Sequence, residues 1–178
     1  MGTHSAVGIG AVVNAIISTE SRWQAVLGVP TAGLFWSLAT FLARSEQVEA
    51  QGIAKAEALF YVSVGGMAQT LLLWIGFTVV VWAMTRAFGR RVPLLRLMAL
   101  VSAASLALWI GAPAAAFWIN GAPGHTATAA TIALIFMALF LHALTRELSA
   151  DLHWSFVRAA GAVAAASVFL ASFVFLAL

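Results

Sequence analysis

Three groups of side chains in this sequence have the chemistry to act on something: four histidines, six carboxylates and nine basic residues. The histidines raise a cofactor question first. Ala138-x₃-His142 has the spacing with which a light-harvesting helix offers His to a chlorophyll, and His125 invites pairing with His142 as a haem ligand. Helical rise argues against both. At 1.5 Å per residue, the 17 positions between them separate the two rings by about 26 Å along one axis, so they cannot grip one metal. His153 falls in a loop and His4 near the terminus. With no cysteine in the chain, thiolate metal sites, iron–sulfur clusters, disulfides and cysteine nucleophiles are excluded together. The sequence therefore predicts no cofactor, no metal and a colourless protein.

The carboxylates Glu20, Glu46, Glu49, Glu57, Glu147 and Asp151 all lie in loops or flanks of apolar segments. None sits in the middle of such a segment, where ion-coupled transporters and pumps keep an ionisable group. The polar groups inside are Ser, Thr and one amide, Gln69. No nucleophile-elbow, zinc-protease, P-loop or dinucleotide glycine motif appears. These absences predict a protein that is not an enzyme. Nucleic-acid binding has neither a motif nor a solvated basic face to support it.

The arginines form the densest charge. Arg86-x₃-Arg90-Arg91-x₄-Arg96 places four guanidinium groups within eleven residues. Near an anionic leaflet each basic side chain is worth about 1 kcal/mol, so the cluster is expected to contact lipid headgroups or an acidic partner, and at the least to fix topology. Pro30 and Pro113 fall inside apolar segments. Each removes a backbone donor and frees the carbonyl four residues earlier, at Val26 and Trp109, which predicts a helix kink at each.

The elements that carry these residues follow from composition. Hydrophobic residues make up 63% of the chain and charged residues 8%. A soluble surface needs about 25% charge, so the solvent for most of this chain is lipid. A transmembrane helix needs about 20 mostly apolar residues, and five stretches qualify. Trp23–Ala43 and Ala58–Thr85 are free of formal charge, and so is the whole of Leu97–Thr145. The last of these is too long for one span, and Asn120-Gly121-Ala122-Pro123-Gly124-His125 is a cluster of turn formers that divides it. The predicted spans are about 23–43, 58–85, 92–118, 126–145 and 155–178, together a membrane domain over 23–178 of all-α, polytopic transmembrane helical-bundle class. Residues 1–22 precede it as an interfacial segment, with Val7–Thr19 read as a short helix on the membrane surface. That segment lacks the positive start of a secretory signal, since its first 21 residues contain no Lys or Arg.

Backbone groups in hydrocarbon must be satisfied internally, and no alternating pattern for a barrel is present. Orientation follows from the basic residues. With the N-terminus cytoplasmic, Arg22, Arg86, Arg90, Arg91, Arg96, Arg146 and Arg158 lie inside and only Arg44 and Lys55 outside. Five spans then put the C-terminus outside. Trp23, Trp82, Trp118 and Trp154 fall near span ends, where amphipathic rings prefer to sit. Gly65-Gly66, Gly76, Gly111-x₃-Ala115 and Ala160-x₃-Ala164 are small residues at helix-contact spacing, suited to packing within the chain, to self-association or to other membrane subunits.

A resemblance joins several of these features. An amphipathic lead-in precedes five close-set spans. Gly65–Trp118 reads as a long apolar helix, the basic loop Phe88-Gly89-Arg90-Arg91-Val92-Pro93-Leu94-Leu95-Arg96-Leu97, and a span with the late proline of Ile110-Gly111-Ala112-Pro113. Ala143-Leu144-Thr145-Arg146-Glu147 and Phe156-Val157-Arg158-Ala159 follow. Over roughly residues 10–178 this resembles the Yip family, the Ypt/Rab-interacting five-span membrane proteins, in bacterial form. The resemblance implies a non-enzymatic scaffold or membrane organiser of a bacterial inner membrane, and it transfers no site residues. Two other functions fit the composition: an accessory subunit of a larger membrane complex, and a small carrier or channel for an uncharged or lipid-like substrate. A polar cavity lined by Ser63, Gln69, Thr70 and Ser102 would mark the carrier.

Overall fold

Apolar residues without an alternating pattern leave the helix as the only element that satisfies its own backbone, and helices are what the chain forms. The computed structural model describes residues 27–121, 124 and 126–177, with no strand among them. The surface segment expected at 1–22, and Trp23 with it, lies outside the described residues. The helices are α1 (Leu27–Ala43), α2 (Ser45–Ala50), α3 (Lys55–Ala87), α4 (Leu94–Ala104), α5 (Leu108–Ile119), α6 (Thr126–Leu152) and α7 (Phe156–Ala177).

Lys55–Ala87, Leu94–Ile119 and Thr126–Leu152 are each long and apolar enough to cross a membrane, and α1 and α7 are shorter apolar helices. Only 17% of the most apolar window of α3, a helix of 33 residues, is buried inside the molecule. Its outward face carries Tyr61, Val64, Leu72, Ile75 and Val79. Water would not tolerate so much exposed aliphatic surface on one element, whereas lipid does.

Where the helices meet, two kinds of packing divide the molecule. Toward the α3–α4 loop, large side chains interlock: Phe77 and Val81 of α3, Leu97 and Val101 of α4, and Phe140, Leu144, Leu148 and Leu152 of α6. The small stripe Ala159, Ala162, Val163 and Ala166 lets α7 approach this cluster closely. Toward the α5–α6 turn, the buried residues are small: Gly111 and Ala116 of α5, Ala129 and Ala133 of α6. A Cβ on Gly111 would lie 3.0 Å from that of Phe136. Small residues also seat α1. A Cβ on Gly28 would overlap the carbonyl oxygen of Ser102, one on Gly33 would lie 2.8 Å from the hydroxyl of Thr70, and one on Gly66 would overlap the hydroxyl of Ser37. By contrast, Gly65 and Gly76 meet nothing within 4 Å. On α7 the buried stripe is one position off the expected Ala160-x₃-Ala164, and Ala164 is exposed.

Several buried hydroxyls turn back on their own helix. Thr78 donates to the carbonyl of Trp74, Thr145 to Leu141 and Ser37 to Gly33, at 2.7–2.8 Å. That arrangement allows a hydroxyl in an apolar surrounding without an unpaired donor.

The stretch read as one span over 92–118 is helical in two parts. Between α4 and α5 lies a 3₁₀ turn, Ser105–Ala107. Pro113 sits within α5, whose helix continues through it, so the tightened turn lies on the N-terminal side of the proline. It coincides with the seat of α1: Ser105 donates to the carbonyl of Ser102 at 2.7 Å, and Trp109 Nε1 to that of Gly28 at 2.8 Å. Pro30 lies one turn into α1. The linker after α1 contains the short α2, and α6 runs on to Leu152, carrying Arg146, Glu147 and Asp151 past the apolar stretch that ends at Thr145.

Candidate functional site

The chain concentrates its charge at the end formed by the α3–α4 loop and the α6–α7 corner. Both segments close by the same device. After α3, Gly89 takes φ +76°, the Arg90 N–H donates to the carbonyl of Thr85 and the Gly89 N–H to that of Arg86. These are the two bonds of a Schellman cap, whose left-handed residue is normally glycine. After α6, the Trp154 N–H donates to the carbonyl of Ser149, and the residue at the left-handed position is His153, with φ 52°. A non-glycine residue there costs about 1–2 kcal/mol. The two caps face one another across a cleft of about 400 Å³ lined by Gly89, Arg90, Arg91, Val92, Pro93, Arg96, Asp151, Leu152 and His153.

The loop is pinned from several sides. Trp82 Nε1 donates to the carbonyl of Val92 at 3.0 Å. Phe88 meets Trp154 edge to face, ring centroids 5.4 Å apart, and the Arg158 guanidinium lies 5.7 Å from the Phe88 ring. The aromatic partner is deeply set: Trp154 is 6% exposed.

The four arginines expected to act together are divided by this geometry. Arg86 lies over the Trp82 ring, 4.4 Å from its centroid, one turn back along its own helix. Arg96 pairs with Asp151, its Nε donating to Oδ1 at 3.1 Å and its terminal nitrogen to the same atom. Arg90 and Arg91 line the cleft, exposed, with no ion pair among the described residues. Asp151 and His153 join them from α6, two residues the loop sequence does not contain. A signal for them existed: in the topology expected from the basic residues, Arg146 and Arg158 fall on the same side as the loop, which brings the α6–α7 corner to the same end.

At the other end, Arg44 donates to the side-chain oxygen of Asn120, joining the end of α1 to the end of α5. A second cleft there, of about 320 Å³, is lined by Thr40, Arg44, Gln47, Gln51 and Tyr61 among others. Neither cleft contains Ser63, Gln69, Thr70 or Ser102. Thr70 donates to the carbonyl of Gly66 at 2.7 Å, Ser102 lies against α1, and Gln69 is exposed on the outside of α3.

His142 is exposed on α6, 5.8 Å from the Phe156 ring, and His125 lies outside the described residues. Among the described residues, no three His, Asp or Glu side chains come together as a metal site.

Long apolar helices with lipid-compatible surfaces, capped by charge at the loops, define a helical membrane protein. Compared with known proteins, the chain matches no family model, no curated protein and no solved structure.

Proposed function

We propose that this protein is a non-enzymatic, Yip-like scaffold or membrane organiser that crosses the bilayer of a bacterial inner membrane five times. Its N-terminus is cytoplasmic and its C-terminus outside, and the arginine end rests on the cytoplasmic leaflet. The observation that carries this reading is the segregation of charge between the two ends. Arg86, Arg90, Arg91, Arg96, Arg146 and Arg158 belong to the end where α3, α4, α6 and α7 meet, while Arg44 and Lys55 belong to the other. A basic excess of that size holds an end in the cytoplasm. Both clefts described above lie at the loops, and Ser37, Thr70, Thr78, Thr85 and Thr145 bond their own helix backbone, which supports a structural role over transport.

The accessory-subunit reading has one observation in its favour. Gln69 is exposed halfway along α3 without a hydrogen-bond partner among the described residues. An amide facing hydrocarbon gains from a partner on another helix. Copurification of a stoichiometric subunit after gentle detergent extraction would favour that reading.

Topology tests the main reading. Reporter fusions at His125 and at Leu178 are both expected to read external. A cytoplasmic signal at Leu178 would mean an even number of spans and would remove the five-span organiser.

A further inference from the structure

We infer that the cleft between the α3–α4 loop and the α6–α7 corner binds one phosphate group of an anionic lipid headgroup, held by Arg90, Arg91 and His153. This rests on the reading that the arginine end faces a lipid leaflet. It goes beyond a general attraction, because it assigns one ligand per chain and separates the residues that hold it from those that do not.

Electrostatics carries the first part. The N-terminus of α4 opens into the cleft at Pro93, with no side-chain cap and no acidic residue in its first turn. The N–H groups of Leu94 and Leu95 have no acceptor among the described residues. The positive end of a helix normally attracts Asp, Glu or a bound anion. Here Arg90, Arg91 and Arg96 line the cleft beside it, and of the three only Arg96 has an acidic partner, Asp151. Asp151 is the one acidic side chain in the lining; its Oδ1 accepts from Arg96, while its Oδ2 is buried with no hydrogen-bond partner among the described residues. Arg96 is thus a positioning residue, and Arg90 and Arg91 retain their charge for a ligand. Guanidinium groups and free backbone N–H groups are the donors that phosphate oxygens take.

Conformation carries the second part. Glycine at position 153 would close the α6 cap without strain, as Gly89 closes that of α3. The chain places histidine there, in the left-handed region and in the cleft lining. Strain of this kind collects at ligand sites.

The surroundings select lipid over a free anion. Leu95, beside Pro93 and Arg96, is 78% exposed, and Val157, in the first turn after the corner, is 80% exposed. Phe88 and Phe156 are also exposed. A soluble phosphate site has no use for that apolar collar, whereas acyl chains leaving the cleft would cover it.

The full chain in phosphatidylcholine nanodiscs, with and without phosphatidylglycerol, tests this by native mass spectrometry of retained lipid and by titration. One phosphatidylglycerol per chain is expected to be retained, and none of the phosphatidylcholine. Arg90→Gln with Arg91→Gln should weaken retention about 10- to 30-fold, from about 1 kcal/mol per basic group. His153→Gly should weaken it a few-fold while unfolding in mixed micelles shows no loss of stability, which separates lost binding from misfolding. Arg86→Gln should leave it unchanged. Equal loss in Arg86→Gln and in the double variant, or unchanged retention in the double variant, would overturn the site. Inorganic phosphate alone, titrated into the detergent-solubilised chain, is expected to bind far more weakly than the lipid. Equal affinity would overturn the assignment to lipid. The site and the topology fail separately, since retention in nanodiscs does not depend on which way the chain faces in the cell.

Discussion

The two halves of this molecule solve the same packing problem in opposite ways. Near the arginine end, Leu97, Leu144, Leu148 and Val81 are fully buried and fill space between α3, α4 and α6, and only α7 is drawn close by its alanines. Near the α5–α6 turn, Gly111, Ala116 and Ala133 let backbones approach and leave little space to fill. In lipid the hydrophobic effect does not drive helices together, so association comes from contact itself. Large side chains supply contact by interdigitation and small ones by proximity. The half with large side chains also bears the pinned loop and the cleft. Interlocked side chains fix rotation as well as distance, and a site built from two loops needs both.

The contrast can be broken from either side. The largest expected effect is in the interlocked half. Leu148→Ala should cost about 2–3 kcal/mol, toward the low end of core truncations because lipid removes the transfer part and leaves the cavity part. Unfolding in mixed micelles measures it. In the close-approach half, Ala116→Leu should cost about 1–2 kcal/mol by overpacking, measured the same way. If Ala116→Leu were neutral and Ala116→Gly costly, the two halves would not differ in kind.

Smaller effects sharpen the comparison at the loop. Trp82→Phe removes the donor to the Val92 carbonyl and should cost about 1 kcal/mol, with faster hydrogen exchange in residues 88–92. His153→Gly should raise stability by about 0.5–1 kcal/mol, since glycine takes positive φ without a steric penalty. A loss of stability in this variant would show that the ring contributes packing that outweighs the strain.

The elements were readable because charge marks where a helix leaves lipid. Lys55 and Glu57 begin α3, Arg86 ends it, and the turn formers from Asn120 to His125 separate α5 from α6. Gly89 and Pro93 announced a tight basic loop for a local reason, φ and the missing N–H. Rotation was not readable. A helix that is apolar all round has no face that pattern can select, so Gly66 and Gly65 look alike in sequence although only Gly66 meets another helix. Gly28 and Gly33, which seat α1, carry no local mark either, because their partners Ser102 and Thr70 are distant in the chain. The 3₁₀ turn at Ser105–Ala107 is of the same kind. The proline drew attention to Pro113, whereas the tightening lies where α1 presses against Ser102 and Ser105. Within the cleft, the arginines were legible as a cluster. Their division into stacked, paired and free depends on Trp82 and on Asp151, and Asp151 is contributed by another helix.

The length of α3 has a consequence of its own. Thirty-three residues extend about 50 Å, and the hydrocarbon layer of a bilayer is about 30 Å thick. A helix of that length cannot stand upright within the hydrocarbon layer, so α3 leans, lifts its ends into the headgroups, or thickens the layer beside it. Each ångström of mismatch costs a fraction of a kcal/mol. The chain is therefore matched to a particular thickness, and a thinner bilayer would change the lean of α3 and the height at which the α3–α4 loop rides.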